Sequence, residues 1–236
     1  MNRYVRRVPA AEAELALLEM LDLFPDGVVE EADGDQVVMS GFAETAPAEG
    51  LECVPVADGW LDAWREYHHA VQCGSLWVGP PWEQAVEPAV VIDPGRAFGT
   101  GAHGSTRAAL ELLQTLPPQA ALDLGCGSGV LSIAAIRLGF GPLRAFDIDP
   151  LAIGASAENA ARNGVWFEVE RRDVLSDPLP EAPLWMANLQ LDLLECLLLR
   201  TDLPPVLLVS GLLESQTLGG SPRAVVDGWV AEVLRP

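Results

Sequence analysis

The chain is short of basic residues. Lysine and arginine together number 14 against 34 aspartates and glutamates, a formal charge of −20. So acidic a surface repels nucleic acid and anionic membrane over most of its area and steers a basic partner inward. Acidity also serves plain solubility, so charge alone names no partner. Long apolar runs are lacking too. The longest candidate, residues 189–199, is broken by Asp192 and Glu195 and is too short to span a bilayer. The opening Met1-Asn2-Arg3-Tyr4-Val5 has no apolar core behind its basic residues, so no secretory leader and a cytoplasmic location are expected. Cys53, Cys73, Cys126 and Cys196 show no paired spacing and read as free thiols, not as a disulfide frame or zinc site. His68 and His69 have no carboxylate or cysteine at ligand spacing, so no metal centre is expected.

What is present is a sizeable apolar half and 22 glycines. A chain of 236 residues can build one α/β domain with a small appendage. The informative run is Asp123-Leu124-Gly125-Cys126-Gly127-Ser128-Gly129. An apolar stretch at 120–124 predicts a strand, three glycines follow at every second position, and 130–138 suits a helix. This is the strand, tight turn and helix entry of a nucleotide-binding unit. The next strand, 143–148, ends in Asp147-Ile148-Asp149-Pro150. Its carboxylates lie about 20 residues past the loop, where an acid that binds ribose belongs. A phosphate-binding loop would need Gly-Lys-Ser or Gly-Lys-Thr, and no lysine stands here. A dinucleotide loop would carry its third glycine one residue later.

Taken from the start, residues 4–8 alternate as a strand and 10–23 have a helix composition. Strands at 27–31 and 36–39 flank the turn pair Asp33-Gly34, and 51–56 can add an edge strand. The reading is a small β-α-β-β unit, either a stabilising appendage or a module that recruits substrate. Residues 58–67 predict a short helix whose Trp60, Trp64 and Tyr67 recur at three to four, mainly a packing stripe. After a strand at 89–92 comes a glycine-dense loop, then a helix at 105–116 with Ser105 or Thr106 as its cap. That loop is either a long turn or a lid over a ligand, with Thr100, His103 and Thr106 available as donors.

The pattern Asp-Leu-Gly-Cys-Gly-Ser-Gly resembles the cofactor loop of class I methyltransferases. The segment Pro94-Gly95-Arg96-Ala97-Phe98-Gly99-Thr100-Gly101-Ala102-His103-Gly104-Ser105-Thr106 is more specific: it resembles the signature of the ribosomal protein L11 methyltransferase family. Trp60-Leu61-Asp62-Ala63-Trp64-Arg65, Asp147 to Pro150, Ala187-Asn188-Leu189 and Ser210-Gly211-Leu212 continue the likeness, which runs from about Trp60 to Leu213. Two departures stand out: residues 1–59 are shorter and more acidic than the family's recognition domain and linker, and Ser105 stands where the family generally has threonine.

The resemblance implies an α/β class I methyltransferase fold, Rossmann-like with a mixed sheet, beside a small α+β N-terminal domain. It divides the chain into a truncated ferredoxin-like recognition domain at 1–57, a linker with a short helix at 58–88, and a catalytic domain at 89–236. It implies S-adenosyl-L-methionine as cofactor. It further implies methyl transfer to lysine ε-amines or the α-amine of a basic protein, ribosomal protein L11 or one like it, with no direct contact to nucleic acid or membrane. Phe98, Thr100 and Thr106 would close over the cofactor. Asp123 and Gly125 would meet its methionine end, and Gly127, Gly129 and Asn188 would also contact the cofactor. Asp147, with Ile148 beside it, would take the ribose; Asp149 is the alternative. Asp173 would lie near the adenine amino group. Asn188, after a buried-looking strand, would hold the acceptor nitrogen, the alternative being a cap for the helix at 191–199. Two other functions stay open: a methyltransferase for another protein or a small molecule, and a cofactor-binding assembly factor without catalysis.

Overall fold

In the computed structural model the residues described are 2–9, 13, 16, 19, 20, 23, 24, 28–34, 36–43, 46–48, 50–54, 68–93 and 101–236. The expected helix at 58–67, with Trp60 and Trp64, and the loop residues Phe98 and Thr100 lie outside them. The chain divides into two compact units, Met1–Tyr67 and His68–Pro236. The second boundary expected for a linker, at residue 88, falls inside the larger unit. Among the described residues no helix is long and apolar enough to cross a membrane, and no group of histidine, cysteine and acidic side chains is placed to hold a metal ion.

Among the described residues the smaller unit has four antiparallel strands: β1 (Asn2–Pro9), β2 (Val29–Asp33), β3 (Gln36–Ala43) and β4 (Glu52–Val54), in the order β2-β3-β1-β4. That is the strand order of a split βαββαβ unit. Helical residues Ala16 and Met20, followed by Phe24, are buried on Tyr4, Val8 and Met39. Their three-to-four spacing puts them on one helical stripe. Phe24 lies over Gly41, where a Cβ would meet its ring at 2.1 Å.

The larger unit is built on a seven-stranded sheet. Its strands are β8 (Ala121–Leu124), β9 (Leu143–Asp147), β10 (Glu168–Arg171), β11 (Leu184–Asn188), β12 (Val206–Leu213), β13 (Arg223–Val226) and β14 (Trp229–Leu234). They run in the order β10-β9-β8-β11-β12-β14-β13, parallel except for β14, which is antiparallel to both neighbours. Four helices belong to it: α1 (Gly104–Leu113), α2 (Val130–Arg137), α3 (Pro150–Arg162) and α4 (Leu191–Leu197). Three short strands, β5 (Val71–Cys73), β6 (Leu76–Gly79) and β7 (Ala89–Val91), make a separate sheet in the same unit. This is the class I, Rossmann-like methyltransferase fold with an additional small domain.

Strand alternation sorts the sheet's two faces. Ala121, Ala145, Met186 and Leu208 join one buried cluster with Leu110 and Leu113 of α1 and Ile133 and Ala134 of α2. Leu122, Phe146, Trp185 and Leu207 join another with Leu194 and Leu197 of α4. Parity therefore puts Asp123, Asp147, Asn188 and Ser210 on the face covered by α1 and α2. The chain enters the sheet at β8, steps outward through β9 and β10, and returns to β11 on the other side of β8. The crevice at such a reversal, beyond the strands' carboxyl ends, is where open α/β sheets bind ligands.

Candidate cofactor and acceptor site

A cavity of about 400 Å³ opens at that reversal. Thr106, Asp123, Gly125, Gly127, Asp147 and Ile148 line it, as do Asp173 and Asn188. Gly129 is not on its wall; it is the N-cap of α2 at φ 80°, and a Cβ there would stand 2.4 Å from Ser156 Oγ of α3. The glycine loop is pinned from beneath: the N–H groups of Gly125 and Cys126 both donate to the Phe146 carbonyl, at 2.8 and 3.0 Å. Gly125 sits at φ 75°, a conformation that side chains rarely adopt, and a Cβ there would displace Leu189 Cδ2, 2.5 Å away.

The acidic residues divide by partner. Asp147 Oδ2 accepts the Gly127 N–H at 2.9 Å, and its Oδ1 accepts the Asp149 N–H at 3.0 Å. Asp149 caps α3 instead, accepting the Leu151 N–H at 2.8 Å. Asp123 is buried, with Oδ2 accepting both the N–H and the hydroxyl of Ser132, at 3.1 and 2.6 Å. It thus supplies α2 with the capping oxygen that Gly129 lacks. Burial pushes its carboxyl up to about 7 against the pull of the Ser132 bonds, and the charge of Asp147 adds to the rise. Asp173 is held below its ordinary value, first by the Leu175 N–H at 2.9 Å and then by the Ser176 hydroxyl at 2.7 Å. Burial holds the Cys126 thiol well above its usual range, so it lines the cavity as a neutral group.

Asn188 ends β11, and its Nδ2 donates to Thr106 Oγ1 at 3.3 Å. It is not the cap of the next helix: α4 is capped at Gln190, without a side-chain bond. The cap of α1 likewise differs from the expected Ser105 or Thr106. It is His103, whose ring accepts the Ser105 N–H and packs on Trp229 with centroids 4.6 Å apart. Sequence reasoning passed over Val174, Leu175, Leu189 and Leu193, which give the cavity apolar walls, and Arg172. Each follows a strand end within a few residues, and that adjacency is the one signal by which they could have been found.

Known proteins resemble the chain over much of its length. The ribosomal protein L11 methyltransferase of Aliivibrio fischeri (strain MJ11) is 39% identical over 165 residues, covering 67% of this chain and 54% of that protein. Its counterpart in Shewanella frigidimarina is 41% identical over 176 residues, covering 66% of this chain and 57% of that one. The chain thus spans about half the length of the curated relatives it matches. Among solved structures, a ribosomal protein L11 methylase from Lactobacillus delbrueckii subsp. bulgaricus superposes with a TM-score of 0.63 at 27% identity, over 71% of this chain and 98% of that one. The sequence model described as ribosomal protein L11 methyltransferase (PrmA) matches residues 39–217, and the chain belongs to that family.

Proposed function

We propose that the chain transfers methyl groups from S-adenosyl-L-methionine to lysine ε-amines, or to the α-amine, of a basic protein: ribosomal protein L11 or one like it. Such a substrate places the reaction in the cytoplasm. The observation that carries the reading is a neutral amide, Asn188, set at a strand's carboxyl end and tied to Thr106, in one cavity with the carboxylates of Asp147 and Asp173.

The cavity fits that cofactor by size and by donor set. Its volume of about 400 Å³ suits a ligand of this class. Asp147 would accept the ribose hydroxyls, each of its oxygens now holding one backbone N–H and keeping a further lone pair. Asp173 would receive the adenine amino group, with Ile148, Val174 and Leu175 as apolar walls. Gly125, Gly127 and the buried Asp123 would meet the methionine end, Gly129 holding the loop's shape from behind. Phe98, Thr100 and Thr106 would close the site. The bound cofactor supplies an electrophilic methyl group on a sulfonium sulfur.

The rest is positioning by this chain. An amine attacks only when uncharged, with its lone pair aimed at the methyl carbon. Because Nδ2 of Asn188 is committed to Thr106, its carbonyl oxygen is the group left to accept an amine N–H. A neutral acceptor orients the amine without favouring its ammonium form, which a carboxylate would do. Orientation of this kind supplies much of the rate, and a misplacement of about 1 Å costs on the order of a hundredfold. The smaller unit would present the basic substrate, whose charge complements the −20 of the chain.

The test joins calorimetry with S-adenosylmethionine, NAD and ATP to mass spectrometry of ribosomal protein L11 after incubation. Binding of the methyl donor alone, and methyl groups on lysine or the α-amine, are expected. The chain contains no lysine, so every methyl-lysine detected belongs to the substrate. Asn188→Ala should keep cofactor affinity and lose most turnover, and Asn188→Asp should move the rate optimum to higher pH. Binding of NAD or ATP with none of the methyl donor would falsify the reading.

A further inference from the structure

We infer that Ser210 is a positioning residue for the pair Thr106 and Asn188, and that the bulge at Gly211 gives it that reach; the inference rests on the amine-holding role proposed above. The Thr106–Asn188 bond is 3.3 Å long, at the loose end of hydrogen-bond geometry. A contact so weak does not set its own geometry, so the two side chains must be placed by what lies behind them. Ser210 lies behind both. It pairs in register with Asn188 across β11 and β12, and its carbonyl accepts the Leu189 N–H at 3.1 Å. Its hydroxyl reaches the other way, donating to the Ser105 carbonyl at 2.7 Å, with the Val230 carbonyl at 3.2 Å as the second acceptor within range. Ser105 immediately precedes Thr106 in the first turn of α1. One residue therefore grips the strand of Asn188 through its backbone and the helical turn of Thr106 through its side chain. Ser210, Ser105 and Thr106 are all buried, so no water competes for these bonds.

The bulge explains how a strand residue gains two such grips. The pairing of β12 with β14 shifts register between Ser210 and Leu212, leaving Gly211 as the extra residue at φ 99°. A Cβ on Gly211 would stand 2.1 Å from the Leu189 carbonyl oxygen and 3.4 Å from Asn188 Oδ1. The backbone of β12 is thus pressed against the segment that carries the amide. Bulges beside active sites serve this purpose, re-aiming a side chain by bending one strand.

The test compares Ser210→Ala with Val209→Ala, a buried neighbour on the opposite face of the same strand. Three readouts are taken: the side-chain amide resonances of Asn188, assigned by their loss in Asn188→Asp; the affinity for S-adenosylmethionine; and kcat for methyl transfer. Ser210→Ala should move the Asn188 amide resonances and lower kcat on the order of tenfold, with cofactor affinity within about twofold. Val209→Ala should lower the melting temperature and leave both resonances and kcat in place. Unmoved Asn188 resonances in Ser210→Ala overturn the inference, as does a kcat loss that Val209→Ala reproduces. A wild-type chain that transfers no methyl group sinks the functional reading instead, and the resonances then decide the placement by themselves.

Discussion

Asp147 and Asp149 are two residues apart and have different work. Asp147 lines the cavity and steadies the Gly127 amide, whereas Asp149 spends its side chain on the first turn of α3. Asp147→Ala is expected to weaken binding of S-adenosylmethionine by about 1.5 to 3 kcal/mol, the range for losing charge-assisted bonds. Asp149→Ala should leave that affinity alone and cost about 1 kcal/mol of stability, as loss of a cap does. Calorimetry and urea unfolding of both variants separate the two; equal cofactor affinity in wild type and Asp147→Ala would assign the ribose elsewhere. Asp123 makes a prediction of opposite sign. Its carboxyl titrates near 7 when folded and near 4 in an unfolded chain. Between those values the native state binds more protons, so its contribution to stability falls as pH rises from about 4 to about 7 and is level above. Asp123→Asn should flatten that slope, a change on the order of a few kcal/mol across the window, read from urea unfolding at stepped pH. A slope unchanged in the variant would mean that another group titrates there.

At the scale of elements, helices hold the loops around the cavity. Buried Asn159 of α3 donates to the Ser128 carbonyl in the glycine loop at 3.0 Å and accepts the Asp93 N–H at 3.0 Å. One side chain thereby links the glycine loop to the residue that leads into segment 94–100. A turn further on, Asn163 pairs with both backbone groups of Val91, at 2.8 and 2.7 Å. Asn159→Ala removes both bonds, which costs about 1 to 3 kcal/mol. It should also weaken cofactor binding. Thermal melts beside cofactor titrations of Asn159→Ala and wild type check this, and an unchanged melting point with unchanged affinity would argue against the link. The first turn of α1 is held from its other side by Trp229 against His103 and by the ion pair of Arg107 with Asp227 at 2.6 Å. The hairpin of β13 and β14 therefore supports the turn that carries Thr106.

Over the whole molecule, charge is the governing quantity. At −20 the protein attracts a basic partner from a distance, and such attraction is screened beyond about 10 Å at 0.1 M salt. For a basic protein substrate, kcat/KM should fall several-fold to tenfold between low salt and about 0.5 M salt, with kcat unchanged. A short uncharged peptide amine should show no such dependence. Stopped assays over a salt series decide it, and a flat profile for the basic protein would remove steering from the account.

Much of this was legible before any coordinates. The apolar stretches of β8 and β11 and the three glycines after Asp123 are local patterns, and local patterns follow from strands buried on both faces and from where φ must be positive. The hairpin of β13 and β14 obeys the same local rule, with Asp227 and Gly228 both at positive φ in its turn. Residues 213–216 form a turn closed by the bond of the Gln216 N–H to the Leu213 carbonyl. No pattern in the sequence shows that Glu232 is fully buried. Its burial is tolerable because Thr217 and the Leu218 and Gly220 amides converge on it from the loop before β13, and Arg223 of β13 pairs with it. The sequence by itself determined which residue types lie at the strand ends, and so the class of fold and of chemistry. Which of Asp147 and Asp149 faces the cavity, whether Asn188 caps a helix or meets Thr106, and what Ser210 holds were decided by tertiary structure. Each depends on partners tens of residues away, brought within hydrogen-bond reach only by the packing of α1 on the sheet and the return of the chain from β10 to β11.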